Sequence, residues 1–174
     1  MTKPLAFALA LLVAPLAASA QRAIDLPLGA VAPDMKLETL DGQPASLSAW
    51  LGKKPLLIEV WATWCENCEA LAPRILAAKK KYGDKVQFLG VAVSFNQSPA
   101  RVKAHMEKHG FDVLTLYDRK GEADVLYGVK ATSTVITVDR AGKVVYAGAG
   151  ANQDIDAAVK KALGDDKSLD DKSL

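Results

Sequence analysis

The chain has two cysteines, and only two residues separate them: Cys65-Glu66-Asn67-Cys68. A disulfide over so short a separation closes almost no loop, so it restrains the unfolded chain very little. A structural staple therefore explains the pair poorly. Thiol redox chemistry or metal binding explains it better. The residues before it are Trp61-Ala62-Thr63-Trp64. Cys65 follows a run that reads as a buried strand and precedes one that reads as a helix. Free N–H groups and the dipole at a helix N-terminus stabilise a thiolate, and thiols so placed titrate below the free value of about 8.5. Cys65 is thus the expected exposed nucleophile. Cys68, one turn into the helix, is placed to resolve a mixed disulfide.

Two acidic residues bear on that chemistry. Glu59 interrupts the apolar run Leu56 to Trp61, six residues before Cys65. Burial would raise its carboxyl toward neutrality, which suits proton transfer. The plainer reading is a strand residue that reaches solvent or pairs with a lysine. Glu66 sits beside the nucleophile, where a negative charge opposes thiolate formation. That favours a reductant over a donor of disulfides. Two histidines, His105 and His109, stand one helical turn apart among Lys103, Glu107 and Lys108. The expectation is a solvated helix face. With the cysteines they form a Cys-x-x-Cys…His-x-x-x-His set, but the gap is far longer than in a small zinc module. Cu(I) held by the Cys65 and Cys68 thiolates alone is the alternative from a different class.

The elements that must position these groups are legible in the patterning. Asp41-Gly42 reads as a hairpin turn between 35–38 and 45–47. Leu56 to Trp61 and Val86 to Ser94 read as buried strands. Residues 66–82 carry helical spacing, with Lys79, Lys80 and Lys81 at the C-terminal end and Pro73 expected to kink the helix. Pro99 to His109 reads as a helix stopped by Gly110. A short strand is expected over 113–117 and a short helix over 123–127. Thr134 to Val138 and Lys143 to Tyr146 read as a hairpin around Asp139-Arg140-Ala141-Gly142, and Asp154 to Leu163 as a last helix. Strand–helix–strand units of this order favour a mixed sheet covered on both faces.

Composition bounds the rest. A length of 174 residues suits one domain, and 50% hydrophobic residues can fill a core. A formal net charge of +2 gives no reason to expect nucleic acid. Lys3, the short apolar stretch Leu5 to Leu16 and the small residues Ala18-Ser19-Ala20 read as a signal peptide over 1–20, cleaved before Gln21. The stretch is too short to span a bilayer comfortably. Residues 21–163 are the expected domain. Residues 164–174 are the expected disordered polar tail, because Asp165 to Leu169 is repeated as Asp170 to Leu174.

Several of these features occur together in one known family. Ala32-Pro33-Asp34, Leu40-Asp41-Gly42, the tryptophan-rich Cys-x-x-Cys, Pro73, and Tyr127-Gly128-Val129 leading into Thr134–Asp139 resemble the thioredoxin superfamily. Within it they are most similar to the exported TlpA/ResA-like thiol–disulfide oxidoreductases, over roughly residues 30–163. The resemblance implies an α/β, thioredoxin-like three-layer sandwich: a mixed central sheet with helices on both faces and an N-terminal β-hairpin extension. It implies a Cys65/Cys68 dithiol reducing disulfides in exported, periplasmic proteins, with Glu59 as the buried acid that relays protons to the resolving cysteine. Trp64, Thr132 and Ser133 would face the substrate, and Trp61 would lie in the core. No organic cofactor is implied. Re-reduction would come from a membrane electron donor of the DsbD/CcdA type, and the chain would act as a monomer. One departure matters. The family has a cis-proline where this chain has Ser133; a non-proline cis bond costs about 3–4 kcal/mol, so a trans bond is expected. Peroxidases of this fold need Thr or Ser three residues before the reactive cysteine and Pro seven before it. Here those positions are Ala62 and Ile58.

Overall fold

The computed structural model describes residues 23–164. The signal-peptide expectation and the polar tail beyond Gly164 lie outside the described residues. In chain order the elements are β1 (Lys36–Thr39), β2 (Pro44–Ser46), β3 (Leu56–Trp61), α1 (Glu66–Tyr82), β4 (Gln87–Val93), α2 (Pro99–His109), β5 (Thr115–Asp118), α3 (Glu122–Tyr127), β6 (Thr134–Val138), β7 (Val144–Ala149) and α4 (Ile155–Leu163). The seven strands form one open sheet in the order β2-β1-β5-β4-β3-β6-β7. Strands β3, β4 and β5 run parallel, joined by α1 and α2; β6 runs antiparallel to β3. The β1–β2 hairpin adds to the β5 edge as the expected N-terminal extension.

Strand β3 lies between β4 and β6, and all six of its residues are buried. This is why it reads as a continuous apolar run rather than an alternating one. Its side chains still alternate between two cores. Leu56, Ile58 and Val60 pack with Ile24, Met35, Leu47 and Tyr127 on the face covered by α3 and the N-terminal segment. Leu57 and Trp61 pack with Leu71, Ile75, Val102 and Val159 on the face covered by α1, α2 and α4. Glu59 has the parity of Leu57 and Trp61, so its carboxyl enters that second core. The Ala32-Pro33-Asp34 motif braces the N-terminal segment: Asp34 accepts from Ser46 Oγ at 2.7 Å and from the Ser48 N–H at 2.8 Å.

Helix α1 spans the expected residues and runs through Pro73. Boundaries differ from expectation by more than one residue in two places. Strand β5 starts at Thr115 rather than Val113. Strand β7 runs on to Ala149, because its pairing with β6 continues to Thr134.

Gly90 on β4 lies opposite Glu59. A Cβ there would meet Thr115 Oγ1 at 2.6 Å and Trp61 Nε1 at 2.8 Å. Gly90→Ala is expected to destabilise the fold by about 1–3 kcal/mol through overpacking. A lowered urea midpoint followed by tryptophan fluorescence would show it; an unchanged midpoint would contradict this packing.

Candidate active site

Strand β3 ends at Trp61 and α1 begins at Glu66, so Ala62 to Cys65 turn the chain from sheet into helix. Cys65 is the N-cap of α1, in extended backbone conformation, and its Sγ accepts the Cys68 N–H at 3.1 Å. A sulfur thus takes the acceptor role that Ser, Thr, Asp or Asn usually fills. The spacing follows from the cap: the N-cap and the third helical residue meet in the first turn. The two Cα atoms are 5.2 Å apart and the sulfurs are joined as a disulfide. Cys65 is partly exposed and Cys68 is buried. The first turn carries Glu66 and Glu69. Glu66 and Asn67 are both exposed, as a dipeptide between the cysteines would be.

The turn is held from the side by the loop after β4. Gln97 Oε1 accepts the Thr63 N–H at 2.8 Å, and the Tyr117 hydroxyl donates to the Gln97 carbonyl at 2.8 Å. Trp64 Nε1 donates to the Phe95 carbonyl at 2.9 Å, and the two rings meet edge to face at 5.9 Å. Trp64 is 42% exposed and Phe95 70%, so this pair forms an apolar ridge beside Cys65. Trp61 is buried, as expected of a core residue.

Glu59 is 2% exposed, and its Oε1 has no hydrogen-bond partner among the described residues. Burial pushes its carboxyl up from 4.5 to about 8. It shares a cavity of about 290 Å³ with Cys68, Trp61, Pro73, His105 and His109. His109 is exposed, as its charged neighbours suggested, whereas His105 is partly buried and both line this cavity. The α2 surface that carries them turns toward α1: the His105 ring lies 5.7 Å from Trp61 and stacks on His109 at 4.3 Å. Lys103, Glu107 and Lys108 take the outward positions. Among the described residues, no three His, Cys, Asp or Glu side chains are grouped closely enough to hold a metal ion.

The loop before β6 approaches from the other strand neighbour. Every peptide bond among the described residues is trans, including the one before Ser133. Ser133 is fully buried with φ +61°, in the left-handed region. Its carbonyl accepts from Gln153 Nε2 at 2.9 Å and from the Gly150 N–H at 3.2 Å. Its Oγ, like Glu59 Oε1, is buried without a partner among the described residues. Thr132 is partly exposed beside it. Gln97 and Gln153 hold the two flanking loops and carry no sequence motif. A polar side chain between loop residues has no periodic signature, so only their contacts reveal them.

Two expectations follow. Proline fixes φ near −65°, so Ser133→Pro is expected to lower the melting temperature, whereas Ser133→Gly suits the left-handed backbone. A proline variant as stable as the parent would contradict that conformation. For Glu59, the folded state holds its proton to higher pH than the unfolded chain. Its contribution is complete below pH 4.5 and is lost as pH rises to about 8, a fall on the order of 4 kcal/mol. Glu59→Gln should flatten that slope in urea unfolding at pH 5, 7 and 9, leaving the variant more stable than the parent at pH 9. Parallel curves would contradict the buried carboxyl.

Comparison with known proteins agrees with this geometry. The Redoxin family profile matches residues 27–164. The thioredoxin-like protein YneN of Bacillus subtilis is 32% identical over 126 residues, 71% of this chain and 72% of that protein. The thiol:disulfide interchange protein DsbE of Tatumella citrea is 34% identical over 140 residues, 77% of this chain and 70% of that one. Among solved structures, a thiol:disulfide interchange protein of the thioredoxin family from Chlorobium tepidum superposes with TM-score 0.63 at 25% identity, covering 79% of this chain and 98% of that one. With a Cys-x-x-Cys disulfide capping the first helix after a central strand, and a profile match over most of its length, this chain belongs to the Redoxin family and is a thioredoxin-like thiol–disulfide oxidoreductase.

Proposed function

We propose that the chain works as an exported reductase of protein disulfides, with Cys65 as nucleophile, Cys68 as resolving thiol and Glu59 as the acceptor of the Cys68 proton. The observation that carries this reading is the disulfide itself: one sulfur partly exposed at a helix N-terminus, the other buried against a cavity that also holds an unpartnered carboxyl.

In the reduced protein the Cys68 N–H and the first turn of α1 stabilise a Cys65 thiolate. That thiolate attacks one sulfur of a client disulfide, and the bonding pair leaves on the other client sulfur. Glu59 takes the Cys68 proton. The Cys68 sulfur then attacks Cys65, expels the second client thiolate and closes the Cys65–Cys68 disulfide. Two electrons pass to the client. Trp64 supplies an apolar wall for the client, and Thr132 and Ser133 border the docking side. Glu66, beside the nucleophile, disfavours the thiolate and so makes the couple more reducing.

Export rests on the leader-like residues 1–20, with 21–163 as the working domain and 164–174 as a polar tail. Re-reduction would then need a membrane donor of the DsbD/CcdA type, since cytoplasmic reductant is out of direct reach. The mature protein isolated from the periplasm should begin at Gln21 by mass; retention of the leader would count against cleavage.

Direction is tested by equilibrating the couple against glutathione or dithiothreitol. A potential near the roughly −270 mV of thioredoxin supports a reductase, and one near the roughly −120 mV of DsbA overturns it. Cys65→Ser should abolish reduction of a model protein disulfide, while Cys68→Ser should accumulate the mixed disulfide. Glu59→Gln should slow its resolution by roughly a hundredfold and remove the rise in rate toward pH 8.

A further inference from the structure

Glu59 is 2% exposed, so its route to solvent runs through the cavity it lines. Its strand lies between β4 and β6, where it is paired with Gly90 and Val135. The opening on its side is the cavity under the disulfide. Two buried polar atoms of the cavity-lining residues, Glu59 Oε1 and Trp61 Nε1, have no partner among the described residues. A space of this size beside unpaired polar atoms is roomy enough for water. Its far wall is the histidine pair: His105 on Trp61, His109 stacked on His105, and His109 Nδ1 3.8 Å from Glu69 Oε1, whose side chain is largely exposed. Glu59, Cys68, His105, His109 and Glu69 thus line one cavity that leads from the buried carboxyl to the largely exposed Glu69.

We propose that His105, stacked on His109, is the proton relay through which Glu59 exchanges its proton with solvent. The inference rests on Glu59 as acceptor of the Cys68 proton. A proton released by Glu59 is taken up by one ring nitrogen of His105 through cavity water. The other ring nitrogen gives up its proton toward the His109–Glu69 end, and no electrons move. His105 acts through Glu59 and touches no client. The groups facing it are Glu59 from β3, Cys68 and Glu69 from α1, and Arg101, Lys108 and His109 on its own helix. Burial first, and then the neighbouring His109, hold its imidazole below the ordinary value, with Glu69 opposing them. The ring is then neutral near pH 7, with one nitrogen to donate and one to accept.

The test is single-turnover oxidation of the reduced, disulfide-competent protein by a model disulfide, followed by tryptophan fluorescence at pH 6–9 in dilute buffer. His105→Ala leaves room for a free imidazole, and His105→Gln keeps polarity without titrating; urea midpoints confirm that both are folded. The expected result is a loss of roughly tenfold or more at pH 7 in both variants, with added imidazole restoring the rate of His105→Ala but not that of Glu59→Gln. Folded variants with the parental rate profile, or a loss that imidazole does not restore, would overturn the relay. A Glu59→Gln protein that keeps the parental pH profile would show instead that the underlying proton acceptor is wrong.

Discussion

A single hydrogen bond, from the Cys68 N–H to the Cys65 sulfur, joins the fold to its chemistry. The first turn of any helix has N–H groups with no partner inside the helix. Here a cysteine meets that requirement. The acceptor that caps α1 is therefore also one of the two sulfurs of the disulfide. The same geometry brings the second cysteine within bonding range without a loop or a strained backbone. It also sorts the two sulfurs, since the cap lies at the rim of the helix and the third helical residue faces the core.

The cap is useful only if the helix start is held in place, and three separate parts of the chain hold it. The end of β3 delivers the turn from the centre of the sheet. Gln97, on the loop after β4, fixes the Thr63 amide, and the Phe95 carbonyl fixes the Trp64 indole. Gln153, at the entry to α4, ties down the Ser133 carbonyl on the facing loop. The loops on either side of Cys65 are thus pinned through backbone groups, which leaves the Trp64 and Phe95 rings exposed beside it.

Unpaired polar atoms have a distinct distribution in this molecule. Elsewhere buried polar side chains find partners: Asp118 accepts two amides at the start of α3, and Thr137 donates to the Ala158 carbonyl. The buried side-chain atoms left without partners among the described residues belong to Glu59, Trp61, Thr63 and Ser133. All four lie on β3, on the turn that follows it or on the facing loop. An unsatisfied buried group costs on the order of 1–3 kcal/mol, so stability is given up where the disulfide sits. A carboxyl that could be fully hydrogen-bonded would ionise at ordinary pH, whereas burial holds the Glu59 proton to higher pH.

Local physics made most of this architecture readable in advance. A buried run bounded by punctuating residues predicts β3 from Leu56 to Trp61, and helical periodicity predicts α1 over 66–82 and α2 over 99–109. The cysteine spacing and the lone acid in an apolar strand mark the centre of the site, because each is a short-range conflict with its surroundings. What local pattern could not decide is which way α2 turns. His105 and His109 sit among lysines and read as a wet surface; His109 is exposed, yet α2 is packed so that both line a cavity with Cys68, more than thirty residues away in sequence. Nor could it decide the left-handed backbone at Ser133, which depends on Gln153 and Gly150 reaching its carbonyl from the far end of the chain. Periodicity and residue type act between near neighbours, so they determined the elements and the reactive pair. The surroundings of Glu59 and the loop before β6 depend on contacts between distant segments, which exist only once the sheet has brought those segments together.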